Sequence, residues 1–144
     1  MTQRTVKQII EGQEPVTAPA GTTVSEAARL MKEHNIGAIM VVEDGKLAGI
    51  FTERDGLFRV LADGLDGDTT LLGSVMTANP QTISPDSVFT TALQMMHDGR
   101  YRHLPVVESG RVIGVVSVRD ALGPELETFV YEMLRQEQIQ EVLA

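Results

Sequence analysis

The chain has 144 residues and a mass of 15.7 kDa, enough for one compact domain or for two very small ones sharing a core. Apolar residues make up 42% and the mean hydropathy is −0.01, a globular composition, while 12 Lys+Arg against 20 Asp+Glu leave a formal charge of −8. That balance argues against a nucleic-acid binder, the absence of Cys removes disulfides and thiolate chemistry, and no apolar run approaches the roughly 20 residues that span a bilayer.

Met1 to Lys7 does not lead into the apolar core of a signal peptide, so the default expectation is a soluble, cytoplasmic protein without membrane contact. A short strand is predicted near Val16-Thr17. Val24, Ala27, Ala28 and Met31 then recur at i, i+3, i+4, i+7, the spacing of an amphipathic helix. Ala38–Val42 and Leu47–Phe51 read as two apolar strands joined by Glu43-Asp44-Gly45-Lys46, a hairpin with an Asp-Gly turn. A second helix is predicted from Thr52, with Leu57, Phe58 and Leu61 facing inward. Asp63-Gly64-Leu65-Asp66-Gly67-Asp68 is a polar, glycine-rich connection; its three Asp lack the twelve-residue spacing and closing Glu of an EF-hand.

The same order then returns. A strand is predicted near Thr82-Ile83, a helix marked by Val88, Ala92 and Met95, a hairpin from Leu104–Val107 and Val112–Val116 around Ser109-Gly110, and a helix from about Ser117. Residues 41–55 laid over 106–120, an offset of 65, agree at seven of fifteen positions, where chance gives about one. The chain is a tandem duplication of a β-α-β-β-α unit, an α/β (α+β) architecture. Its expected boundaries are 10–66 for the first unit, 67–74 for a linker, 75–123 for the second unit and 124–144 for a terminal helix. Leu126, Phe129, Val130, Met133 and Leu134 fall at helical spacing in that last segment, and a partner subunit is its favoured packing surface.

One pattern occurs in both copies: Gly49-Ile50-Phe51-Thr52-Glu53-Arg54-Asp55 and Gly114-Val115-Val116-Ser117-Val118-Arg119-Asp120. Ser/Thr three residues before Asp at a strand-to-helix junction makes a capping box, worth about 1 kcal/mol. The same geometry also suits a nucleotide. Free N–H groups and a hydroxyl meet phosphate, and a carboxylate one turn on accepts a ribose diol. Arg54 and Arg119 could neutralise phosphate. Each motif alone leaves both readings open; recurrence within a complete repeat favours the second.

These elements, with Val75-Met76-Thr77-Ala78-Asn79-Pro80, Thr82-Ile83-Ser84-Pro85-Asp86-Ser87-Val88 and Arg102-His103-Leu104-Pro105-Val106-Val107, resemble a pair of cystathionine-β-synthase (CBS) domains, a Bateman module, over about residues 10–123. The chain is most similar in layout to stand-alone prokaryotic CBS pairs. The resemblance implies two pseudo-symmetric clefts for adenosyl compounds, with AMP the first expectation and ADP, ATP, NAD or S-adenosylmethionine as alternatives. One cleft would use Thr52 and Asp55 with Gln81, Thr82, Tyr101 and Arg102. The other would use Ser117 and Asp120 with Val16, Thr17, Ile36, Gly37 and the adjoining Ala38. Asp would hold ribose, Ser/Thr phosphate, and Ile50 and Val115 would line the base pocket.

The copies differ in charge: Arg100-Tyr101-Arg102-His103 stands opposite Asn35-Ile36-Gly37-Ala38, so unequal affinities are expected, with Arg102 near the central groove. Met40 also departs from the family by replacing the Pro present at Pro105. His103 reads first as a partly exposed hydrogen-bonding residue, with pH sensing as its alternative; His34 and His97 read as surface residues, and Met31, Met76, Met95 and Met96 as core filler. No metal-ligand spacing and no nucleophile–base set is present in the sequence, so a catalytic cofactor and an enzymatic role are not expected. The resemblance implies a ligand-sensing regulatory module, a homodimer through the Ser25–Glu33 and Arg54–Leu61 helices, and an effector protein that the sequence does not identify. The alternative is a dimerisation or adaptor module with vestigial clefts.

Overall fold

The computed structural model describes residues 3–143, with the backbone alone for 122–130 and 143. In chain order the elements are α1 (Val6–Ile10), β1 (Thr17–Ala18), α2 (Val24–His34), β2 (Ala38–Glu43), β3 (Lys46–Thr52), α3 (Glu53–Asp55) continued by a π-helical turn (Gly56–Leu61), α4 (Leu72–Val75), β4 (Thr77–Ala78), α5 (Phe89–Gly99), β5 (His103–Glu108), β6 (Arg111–Ser117), a 3-10 turn (Val118–Ala121) and α6 (Leu122–Leu143). The duplicated α+β organisation is present.

Both hairpins turn on two residues at positive φ, Asp44 (52°) with Gly45 (75°) and Ser109 (52°) with Gly110 (80°), the twist that a tight two-residue loop requires. Both also carry a register shift at the same repeat position, Val41/Val42 and Val106/Val107. Met40 therefore leaves the first hairpin unchanged. What differs is the neighbour. Met40 donates its N–H to Val16 at 3.4 Å and β1 pairs in parallel with β2, whereas Pro105 has no N–H, and Ile83 makes only an isolated bridge beside it. The result is a four-stranded sheet, β1-β2-β3-β4, against a two-stranded β5-β6.

Two apolar cores form, and each borrows a helix from across the module. Leu72 and Val75 of α4 join Val24, Ala27, Met31, Ile39, Val41, Phe51 and Val60 in the first core. Val6 and Ile10 of α1 join Phe89, Ala92, Met96, Leu104, Val106 and Val116 in the second. Backbone bonds fix the exchange: Val6 donates to Ser87 at 2.8 Å, and Leu72 to Thr22 at 2.9 Å. Leu72, in the stretch read as a linker, is therefore fully buried, and α1 escaped the sequence reading because five residues give no helical period.

Three inward assignments change. Leu57, Phe58 and Leu61 are 51%, 52% and 70% exposed, and Val60 is buried instead. The π-helical turn explains this, since Ala62 donates to Leu57 and Leu65 to Val60, five residues back, which rotates the register away from a 3.6-residue face. Ala28 is exposed on α2, and α5 buries Phe89, Ala92 and Met96 rather than Val88, Ala92 and Met95. Residues 122–143 are helical as expected. Met133, Leu134, Ile139 and Val142 are exposed there, while the side chains of Leu126, Phe129 and Val130 lie outside the described residues.

Candidate functional site

The repeated glycines have a packing role that the motif alone did not reveal. A Cβ on Gly49 would stand 2.8 Å from the Thr77 carbonyl, and one on Gly114 would stand 2.9 Å from Ile10. Each glycine thus admits the segment that crosses from the other half of the chain.

At the ends of β3 and β6 the two motifs diverge. Thr52 and Asp55 form a complete capping box: Asp55 donates its backbone N–H to Thr52 Oγ1 at 3.3 Å, and Asp55 Oδ2 accepts from Thr52 N at 2.9 Å and Thr52 Oγ1 at 3.1 Å. Asp55 is 9% exposed, and its Oδ1 lies 3.5 Å from Arg59 Nε. Arg59 also donates to the carbonyls of Val75 at 3.3 Å and Met76 at 3.1 Å. Asp120, half-buried, accepts from Ser117 N at 2.8 Å through Oδ2.

Beside Ser117 a cavity of about 150 Å³ opens between the repeats. The first repeat contributes Asn35, Ile36, Gly37 and Glu53, and the second Arg102, His103, Ser117, Val118 and Arg119. The walls meet closely: a Cβ on Gly37 would lie 3.0 Å from Glu53 Oε1 and 3.2 Å from His103 Nε2. Burial holds the His103 pKa below its ordinary 6.5; the Glu53 carboxylate opposes that, Arg119 reinforces it, Asp120 opposes it and Arg102 reinforces it. Two cations and two anions thus surround one imidazole. A larger, open hollow of about 540 Å³ lies between Ala20-Gly21 and the 65–74 segment, but no charged side chain lines it.

Of the residues singled out from sequence, Ile36, Gly37, Arg102, His103, Ser117 and Arg119 meet in this cavity. Ala38 is buried where β2 begins, and Ile50 is buried, in register with Met40 on β2 and Thr77 on β4. Val16 packs on the first core, and Thr17 is exposed on β1. Val115 is half-buried, with its backbone held by Gln13. The Tyr101 hydroxyl donates to Gln81, burial raises its pKa above 10.0, and Thr82 is exposed. Arg54 lies over the Phe58 ring at 5.3 Å, outside the cavity. Glu53 was missed, and so was its repeat counterpart Val118, which lines the cavity from the second repeat; both lie inside the repeated motif between Ser/Thr and Asp. Among the described residues no cluster of three or more His, Cys, Asp or Glu could hold a metal, and no helix is long and apolar enough to cross a membrane.

Comparison with known proteins gives the same duplication. The model of the CBS domain matches residues 6–61 and 72–124. The CBS domain-containing protein CBSCBSPB3 of Arabidopsis thaliana is 41% identical over 121 residues, 83% of this chain, although the chain spans only 22% of that relative's length. The CBS domain-containing protein YhcV of Bacillus subtilis (strain 168) is 39% identical over 104 residues, 72% of this chain and 74% of its own. In structure, the CBS domain pair of protein MJ0100, solved with 5′-methylthioadenosine and S-adenosyl-L-methionine, superposes with a TM-score of 0.75 at 30% identity, covering 83% of this chain and 94% of that one. Two matched repeats, exchanged helices and a shared cleft carry one conclusion: this chain belongs to the CBS-domain family, as a tandem pair.

Proposed function

We propose that the pair is a regulatory, non-catalytic module that binds an adenosyl ligand between its repeats and signals the occupancy to a partner protein. The observation that supports this most is the cavity at Ser117, where Arg102 and Arg119 bring two cations beside a hydroxyl with no protein partner among the described residues. At about 150 Å³ it is smaller than the roughly 300–1,000 Å³ of a pocket that encloses a drug-sized ligand, so it takes the polar end of a nucleotide while the rest lies along the strands. The adenosyl ligands of the MJ0100 pair support the ligand class; AMP is the first candidate, with ADP, ATP, NAD and S-adenosylmethionine behind it. Differential affinity for two arrangements of the module would convert binding into a signal.

Leu57, Phe58 and Leu61 form an exposed apolar face on the π-helical turn, which supports a homodimer through that surface. A cytoplasmic location fits this role. Calorimetry and thermal shift with AMP, ADP, ATP, NAD and S-adenosylmethionine test the reading, since a ligand of the native state raises Tm by mass action. No response to the whole panel overturns ligand sensing and leaves the adaptor role, for which the exposed apolar face is the supporting feature.

A further inference from the structure

We infer that this pair is a single-site receptor: the Ser117–Asp120 cleft takes the adenosyl ligand, and the Thr52–Asp55 pair is a structural lock closed by Arg59. The inference rests on the adenosyl reading above and deepens it. For a carboxylate to hold a ribose diol its oxygens must be reachable, and those of Asp55 are spent inside the protein. Oδ2 accepts two bonds from Thr52, Oδ1 faces Arg59, and the residue is 9% exposed. Arg59, although half-exposed, is tied at more than one point. Its guanidinium also caps the carbonyls of Val75 and Met76, the segment that carries α4 into the first core. A ligand at Asp55 would have to displace Arg59, leaving the Val75 and Met76 carbonyls without their side-chain donor.

Among the described residues the second repeat shows no such lock. The residue 65 positions after Arg59 is Pro124, which carries no cation. The Asp120 carboxylate accepts only from Ser117 N, while the Asp120 carbonyl takes Arg4 Nη2 at 3.1 Å, and among the described residues neither Asp120 Oδ1 nor the Ser117 hydroxyl has a protein partner. The cavity lies on this side, lined by Ser117, Arg102 and Arg119, with Asp120 next to Arg119 but off the lining. The duplication has thus kept one motif for binding and given the other to stability.

Titration calorimetry on the full chain with AMP, ATP, NAD and S-adenosylmethionine in turn reads the stoichiometry. Any probe that binds is expected at one equivalent per chain. Asp120→Asn should weaken it about tenfold or more, the loss of a hydrogen bond to a charged group. Arg59→Gln should lower Tm and leave Kd within about twofold, and Asp55→Asn, if it folds, should do the same. Two equivalents in the parent, or loss of binding on Arg59→Gln with Asp120→Asn unaffected, overturns the single-site assignment alone. No heat with any probe overturns the adenosyl reading and this assignment together.

Discussion

Gln13 substitutes for a strand at Val115: its carboxamide donates to the Val115 carbonyl at 3.0 Å and accepts from the Val115 N–H at 2.9 Å. In the first repeat the equivalent edge, Ile50, is paired by Thr77 of β4. The offset of 65 places Gln13 opposite Ala78, so one side chain supplies in the second half what a two-residue strand supplies in the first. Gln13→Ala leaves both backbone groups of Val115 to water and should cost about 1 kcal/mol, since the site is exposed. Hydrogen exchange at the Val115 amide should accelerate while that at Ile50 does not change; equal behaviour of the two amides would contradict the assignment.

The glycines that open the two motifs make a stronger prediction. Gly49→Ala must push its methyl against the Thr77 carbonyl, part of the backbone, whereas Gly114→Ala meets the Ile10 side chain. Both should destabilise by about 1–3 kcal/mol through overpacking, Gly49→Ala more because a backbone neighbour yields less than a side chain. Denaturant midpoints decide it, and a reversed order would show that the α1 side is the more rigid.

The glycines also show where sequence reading succeeded and stopped. Pattern matching at offset 65 located the strands and the turns, because duplicated residues occupy related places; the family resemblance grouped Ile36 and Gly37 with Ser117 but set Arg102 with Thr52 and Asp55, whereas Arg102 lines the same cavity as Ser117. It did not show that Gly49 and Gly114 receive a crossing segment, since α1 and α4 are five and four residues long and give no period to detect. Nor did it separate Thr52–Asp55 from Ser117–Asp120. That difference depends on Arg59 against Pro124, outside the motif, and on a π-helical turn that brings Val60 inward while Leu57 and Phe58 turn out. A heptad or 3.6-residue template cannot represent an inserted residue.

The exchanged helices predict cooperative unfolding. Leu72 and Val6 are each fully buried in the core of the repeat that does not follow them. Leu72→Ala should cost about 2–5 kcal/mol, as a buried leucine truncation does, and Val6→Ala somewhat less. Because each core depends on a helix from across the module, both variants should unfold in one transition, with fluorescence-independent probes such as far-UV dichroism and calorimetry coinciding. Two resolved transitions in either variant would mean that the repeats are independent.

His103 predicts a pH dependence of defined sign. Burial depresses its pKa below 6.5, so between the folded value and 6.5 the unfolded chain binds more protons than the native one. The stability contributed by the neutral imidazole is therefore full above 6.5 and is lost as pH falls through that window. His103→Gln should flatten this part of the stability profile, read from denaturant midpoints at a series of pH values. The carboxylates of Glu53 and Asp120 and the guanidinium groups of Arg119 and Arg102 all face this ring, so its titration also reports what enters the cavity. A phosphate-bearing ligand adds negative charge there and should raise the midpoint of the His103 resonance in an NMR titration, whereas adenosine should not. A midpoint that rises equally with both would place the phosphate away from His103, and one above 6.5 in the free protein would reverse the sign of the stability profile.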